Sequence, residues 1–429
     1  MIPYKRKGDV IINLINKCFR IKMQKEKKNM LYLVSSKGIS RFGDIMFDFA
    51  NNTFLAGISP HSMSLVGIYQ ALENIIGVLF NLFGGVIADN FRRKKIIVLT
   101  NICSGIACIL LSFINKDTWL IYAVVVTNVI LAFLSSFSAP TYKAFTKEIV
   151  EKQNISKINS YLETISTIIK VTVPIIAIFL YGKIGVHGVL LLDGISFLIA
   201  ALLIFLIIPI NEEILKNDKN SLLNIFTDLV QGFKYLVSHK QICIIIILSA
   251  LVNFFLAAYN LLLPYSNQMF VNLSDGLYGI FLAAEAIGGL LGAIVSSFVN
   301  KELSIKKLMF YLGLSGLMLS IAPLLYIVFH RAIILAISPA LFNLFLTIFN
   351  IHFFSFVQRD VDNEFIGRIF GIIFTVAIIF MPIGTGVFTI LLNPEMLFNF
   401  SIIGIAVMML SLVFLVLLKI QCHLVKENL

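Results

Sequence analysis

Three acids and one amine stand inside otherwise apolar stretches of this chain: Asp48, Glu73, Glu285 and Lys170. A charge at bilayer depth costs about 2.5–3.5 kcal/mol even on lenient insertion scales, so each needs a partner or a task. A carboxyl group in a partly dry site holds its proton more tightly than in water, and can load and release it nearer neutrality. The four residues are therefore a candidate set for handling protons and substrate, with Asp44, one turn before Asp48, as a fifth member. Glu163 and Asp193 lie nearer a surface. The competing reading of each is a static ion pair between helices, or an acid that stays protonated and only hydrogen-bonds. Three acids against one base lean towards a cationic or neutral lipophilic substrate.

The elements that must hold these groups follow from composition. Of 429 residues, 59% are hydrophobic and 13% charged, and the mean hydropathy is +0.94. A bilayer core of about 30 Å needs roughly 20 apolar residues per helical crossing. Twelve such runs can be placed, near 36–58, 63–88, 95–115, 119–142, 158–181, 186–209, 242–266, 275–299, 305–329, 332–356, 366–391 and 397–418. An all-α integral membrane protein with twelve transmembrane helices is expected. Of the 34 Lys and Arg, only Lys116, Lys183 and Arg331 fall in the alternate loops. Basic loops are retained inside the cell, so both termini should be cytoplasmic. The net charge of +11 follows from this asymmetry and from attraction to anionic lipid, and is no argument for nucleic acid. No cleavable signal peptide is expected, because a long basic segment precedes the first apolar run.

Several spans carry polar stripes. Asp44, Asp48 and Asn51 or Asn52 share one helix face, since they recur at helical spacing. Thr127, Asn128, Ser135 and Ser138 mark the fourth span, Asn253 and Asn260 the seventh, and Asn343, Thr347 and Asn350 the tenth. Such a stripe must face protein or water, although hydrogen bonding between helices explains any single member equally well.

An internal repeat divides the chain. Residues 66–77, Val-Gly-Ile-Tyr-Gln-Ala-Leu-Glu-Asn-Ile-Ile-Gly, align without gaps to residues 278–289 at an offset of 212, with Gly, Ile, Ala, Glu and Gly coinciding. The same offset carries Lys94-Lys95 onto Lys306-Lys307. Two six-helix halves related by duplication are expected. The divisions are a basic segment 1–34, a first bundle 35–209, a linker 210–240 holding a short amphipathic helix, a second bundle 241–420 and a tail 421–429. The first segment reads either as a basic helix on the inner membrane surface or as a disordered tail.

A charged break separates the second and third spans: Gly85, Asp89, Arg93 and Lys94 lie within Gly84–Lys95. The pattern resembles the loop between helices 2 and 3 of the major facilitator superfamily, with Asn90 and Arg92 departing from it. Ser40-Arg41-Phe42-Gly43-Asp44 is similar to the opening of the first helix in that superfamily's macrolide-efflux and enterobactin-exporter branch. The resemblance implies the superfamily fold, with two pseudo-symmetric six-helix bundles. It implies a cytoplasmic gate made by Gly85, Asp89, Arg93, Lys94 and Arg368, in which Arg368 could meet Asp89. It also implies that helices 1, 4, 7 and 10 line a central cavity, making Asn52, Asn128, Asn253, Asn260, Asn343, Thr347 and Asn350 cavity-lining. In that fold helix 2 lies beside helix 11 and helix 5 beside helix 8, so Lys170 should pair with Glu285 first and Asp48 second. Glu73 or Asp48 would then take up the exchanged proton. In the second copy Ser297 and Lys301 replace Gly85 and Asp89, so only the first copy should gate.

The implied activity is proton-coupled efflux of amphipathic small molecules by an antiporter of the multidrug or macrolide type, acting as a monomer in a bacterial cell membrane. A lysophospholipid or siderophore carrier, and a non-transporting sensor, are the alternatives. No loop of the Gly-Lys-Ser/Thr type occurs, so no ATPase is implied, and no cofactor is expected. The six His are scattered without metal spacing or a nucleophile beside them, which argues against an enzyme. Cys18, Cys103, Cys108, Cys243 and Cys422 show no pairing pattern and read as free thiols.

Overall fold

In lipid every backbone amide must be satisfied within its own segment, so long apolar runs become helices and break only where a residue forces it. The computed structural model describes residues 5–58, 62–210, 240–273, 276–298, 304–361 and 366–427, and every regular element among them is helical. The long helices are α1 (Lys5–Ile58), α2 (Met63–Asn90), α3 (Arg93–Ser112), α4 (Asp117–Ile149), α5 (Ile155–Leu206), α6 (Lys240–Leu262), α7 (Leu277–Phe298), α8 (Ile305–Ser320), α9 (Ile337–Asp360), α10 (Ile366–Leu391) and α11 (Asn399–Glu427).

Helix α5 is a hairpin. Gly185 sits at φ 63°, ψ −173°, a backbone region open to glycine and closed to other residues. The arm before it runs parallel to α1, since Gly38 faces Ile165 and Phe49 meets Tyr181 edge-on at 6.1 Å. The arm after it runs antiparallel, since Gly43 faces Asp193 while Ser36 Oγ donates to the Ala200 carbonyl at 2.9 Å and Asn29 Nδ2 to that of Ile208 at 2.8 Å.

Among the described residues nine helices are long and apolar enough to cross a membrane, against twelve expected runs. One of the nine, Lys157–Leu206, is this hairpin counted once. Helix α1 is not among them, because Arg41, Asp44 and Asp48 lower the hydropathy of its crossing portion.

The expected division after residue 34 does not coincide with a break, because α1 runs unbroken from Lys5. Met30 and Leu33 are buried, and Glu26 Oε1 accepts from the Glu151 amide and from Asn154 Nδ2, each at 2.8 Å. That turn is held by the α4–α5 connection instead of lying free. The expected linker helix falls outside the described residues.

Each half packs mainly on itself: α1 and α3 on α5 and α2 on α4 in the first, α7 on α9, α8 on α11 and α6 on α10 in the second. Two main contacts join the halves, α2 with α10 and the first arm of α5 with α7. The 212-residue offset maps one of these seams onto the other. Gly67 and Gly279, equivalent in the repeat, are the points of closest approach: a Cβ on Gly67 would overlap Thr389, and one on Gly279 would press on Ile178 and the Pro174 carbonyl. The outer surface is apolar, with Ile390 85% and Ile333 81% exposed, whereas Asn51, Asp193 and Ser315 are wholly buried. This inverted arrangement suits lipid outside and hydrogen-bonded polar groups inside.

Candidate functional site

Helical spacing on α1 puts Arg41, Asp44, Asp48 and Asn52 on one face, and the structure turns that face towards two cavities. Arg41 Nη1 lies 3.9 Å from Asp44 Oδ2. Tyr69 of α2 donates its hydroxyl proton to Asp48 Oδ1 at 3.1 Å, and Asn52 Nδ2 donates to the Asp48 carbonyl at 2.8 Å. Tyr69 is itself held by Asn128 of α4, whose Nδ2 donates to the Tyr69 carbonyl at 3.0 Å.

The larger cavity, about 330 Å³, lies on the seam and takes walls from α1, α2, α5, α6, α7 and α10. Asp48, Glu73, Lys170 and Glu285 all line it, as do Asn52 and Asn260. The four costly residues thus converge on one space between the halves. Tyr259 of α6 donates to Glu285 Oε1 at 2.5 Å. No ion pair within 4.0 Å joins Lys170 to Glu285 or to Asp48, so the expected pairing is not made. Tyrosine hydroxyls satisfy two of the acids, and Lys170 shares the cavity with them without touching.

The smaller cavity, about 210 Å³, lies within the first half and is lined by Lys37, Asp44, Thr100, Ser104, Ser136 and Tyr142 among others. Arg41, Asp48 and Glu73 line both cavities. Lys37 Nζ stands 4.8 Å from the centre of the Tyr142 ring.

At the end bearing the α1–α2 and α6–α7 connections, the halves are tied across the seam. Ser62 and Tyr265 hydroxyls lie 3.1 Å apart, Gln268 Nε2 donates to the Ala56 carbonyl at 2.8 Å, and Gln70 Nε2 donates to the Asn260 carbonyl at 3.2 Å. Phe49 stacks on Tyr278 with ring centres 5.2 Å apart. These contacts close that end over the seam cavity.

At the opposite end the basic motif has other partners. Arg93 Nη1 donates to Glu148 Oε1 at 3.0 Å, and Lys94 Nζ donates to the Ile207 carbonyl at 2.7 Å while lying over the Phe205 ring. Lys94 thereby caps the C-terminal end of α5, where orphan carbonyls favour a cation. Gly85 and Asp89 sit in the last turns of α2 and Arg368 in the first turn of α10, and the side chains of all three lie outside the described residues.

Four expected cavity residues line neither of these cavities. Asn253 donates to the Ser249 carbonyl of its own helix, Thr347 donates to Asn343 Oδ1 at 3.2 Å facing Gly289 of α7, and Asn350 is exposed. The first two cases are the bland alternative of hydrogen bonding within and between helices. Asp193, expected nearer a surface, packs against Gly43 of α1. It is wholly buried, and takes hydrogen bonds from Cys108 Sγ at 3.2 Å and Ser196 Oγ at 3.4 Å. Reasoning from charge alone also missed Tyr69 and Tyr259. Tyr69 could have been found, because it lies one turn before Glu73 inside the repeat. Cys103, Cys108 and Cys243 are free thiols, and no metal-binding group of three or more His, Cys, Asp or Glu occurs among the described residues.

The arrangement is a seam cavity with three acids and two cations, sealed at one end and lined by aromatic and amide groups. Residues 35–385 match the family profile described as Major Facilitator Superfamily. The chain is 22% identical over 339 residues to macrolide efflux protein A of Enterococcus faecalis, covering 75% of this chain and 98% of that one. It is 24% identical over 389 residues to the staphyloferrin A transporter of Staphylococcus aureus, covering 89% and 94%. Among solved structures, a bacterial homologue of the iron transporter ferroportin in an inward-facing state superposes with a TM-score of 0.69 at 17% identity, covering 92% of this chain and 97% of that one. The nucleoside transporter NupG superposes with a TM-score of 0.73 at 15% identity, covering 91% and 99%. These two likenesses concern the fold.

Proposed function

The chain belongs to the Major Facilitator Superfamily, and from that premise we propose that it is a proton-coupled exporter of amphipathic small molecules working by alternating access. The observation that carries this reading is the convergence of Asp48, Glu73, Lys170 and Glu285 on one cavity between the halves. Three acids at bilayer depth are retained only where they work or are paired, and Lys170 neutralises none of them by contact. Asp48 and Glu73 are the proton-exchanging acids; Glu285, held by Tyr259, faces the cargo. Cargo enters the seam cavity from the cytoplasm when the opposite end is closed by Ser62–Tyr265, Gln268–Ala56 and Gln70–Asn260. Rocking about the seam then breaks these contacts and opens the cavity outward. Gly85, Asp89, Arg93, Lys94 and Arg368 form the inner gate. The Lys and Arg distribution puts both termini in the cytoplasm of a bacterial cell, with the chain acting as a monomer.

A drug-susceptibility panel in an efflux-deficient bacterial host tests the reading. The wild-type chain should raise the inhibitory concentration of at least one macrolide or lipophilic cation severalfold. Asp89→Ala and Glu73→Gln should abolish the gain, and equal protection by Glu73→Gln would sink the proton-coupled mechanism.

A second reading is an exporter of an acidic siderophore. It is favoured by Arg41 and Lys170, both on the cavity wall, and by likeness to the staphyloferrin A transporter along most of the chain. Iron-limited growth of a host making such a siderophore, unchanged by the chain, would remove it.

A further inference from the structure

Asp48 and Glu73 belong to two cavities at once, with the seam cavity on one side and the polar cavity of the first half on the other. A transporter that exchanges cargo for protons needs both to reach the same acids without blocking each other. One shared space would force the incoming cargo to trap the leaving proton behind it. We propose that protons leave Asp48 and Glu73 through the cavity inside the first half, past Asp44 and Ser136, while cargo occupies the seam cavity. This route rests on the proton-coupled reading above and deepens it.

The geometry suits water and protons. At about 210 Å³ the cavity has room for on the order of seven waters, taking about 30 Å³ for each. Hydroxyls from three helices line it: Thr100 and Ser104 on α3, Ser136 on α4 and Ser40 on α1. Thr100 and Ser136 donate to carbonyls of their own helices, at 2.9 Å to Ile96 and 2.8 Å to Ala132, which leaves their oxygens to accept from water. It reaches from the two carboxylates to Lys37 and Tyr142, one residue from the Ser36–Tyr142 contact near the basic end of α1.

The charged and titratable groups facing the two acids are Lys37, Arg41 and Asp44 on α1, Tyr69 on α2, Tyr142 on α4, Lys170 on α5, and Tyr278 and Glu285 on α7. Arg41 lines both cavities and already reaches Asp44 at 3.9 Å. It is placed to replace the departing proton's charge beside either Asp44 or Asp48. The step itself is a proton transfer from a carboxylic acid to water, and it returns the carboxylate.

The test uses the full chain in proteoliposomes, with erythromycin as the cargo probe and a trapped pH-sensitive dye. Ser104→Met and Ser136→Met narrow the first-half cavity from two different helices, and neither position lines the seam cavity. Both variants should bind erythromycin within about twofold of wild type, while erythromycin-driven proton movement falls at least tenfold. The size-conserving Asp44→Asn should also slow proton movement, and it covers the case in which a methionine does not pack. Wild-type proton movement in Asp44→Asn, or in methionine variants that bind erythromycin, overturns the route and leaves the coupled exporter standing. A wild-type chain that transports erythromycin and moves no protons overturns the coupled reading and the route together.

Discussion

The two halves descend from one repeat, yet they solve different problems. In the first half the interior is polar: Asp193 and Asn51 are wholly buried, and a cavity lined by hydroxyls and charges runs among α1, α2, α3, α4 and α5. In the second half Glu285 stands against a tyrosine, and the helices meet backbone to backbone. A Cβ on Gly288 would overlap the Ala340 carbonyl, and one on Gly316 would overlap that of Gly404. In the first half the Gly105–Gly194 approach is of the same kind but looser, a Cβ on either lying 2.9 Å from the other's carbonyl oxygen. The difference teaches a division of labour. Close glycine packing brings helices of the second half backbone to backbone, whereas a cavity lined by hydroxyls and charges opens within the first. Acid and tyrosine are also exchanged between the halves: Asp48 of the first helix takes its bond from the second, while Glu285 takes its bond from α6, the helix before it.

The largest expected effect comes from breaking the tight half. Gly288→Leu drives a side chain into the α9 backbone and should cost about 3 kcal/mol or more. A thermal-stability assay in detergent should show loss of the folded species, while Ser104→Ala in the looser half leaves the melting temperature nearly unchanged.

Next in size is the functional asymmetry between equivalent acids. Glu73→Gln should lower proton-driven transport at least tenfold, whereas Glu285→Gln should spare coupling and weaken cargo binding by roughly tenfold, the loss of about 1.4 kcal/mol. Transport at several imposed pH gradients, alongside equilibrium binding, separates the two. Equal defects in both would erase the distinction between the halves.

The smallest effect concerns the latch joining them. Gln70→Ala removes the donor to the Asn260 carbonyl and should destabilise the closed outer end by about 1 kcal/mol. Labelling of a cysteine placed at residue 62 should then quicken severalfold from the outer side. Unchanged labelling would mean that Phe49 stacked on Tyr278 carries the closure.

Particular residues show how far the chain could be read in one dimension. The four mid-depth charges were legible because their cost in lipid makes them conspicuous in apolar runs, and the seam cavity collects all four. The repeat was legible because Gly67 and Gly279 must both allow close approach, and both prove to sit on the seams. The partners of the charges were not legible. Nothing in the spacing says that Tyr259 satisfies Glu285 or that Lys170 stands apart, because those contacts depend on side chains many residues distant meeting across a bundle. Asn343 and Thr347 misled for the same reason, since a polar stripe looks alike whether it faces water or another helix.

Hydropathy, the placement of cations and the 212-residue repeat were enough by themselves to determine an all-helical membrane protein of two related halves. These properties are local or periodic, and bilayer thickness and backbone hydrogen bonding leave few ways to satisfy them. Only the tertiary structure decided that Asp48 and Glu73 line two cavities and that Gly185 folds α5 back upon itself. Those outcomes depend on how closely helix faces approach, which is set by packing between residues far apart in the chain.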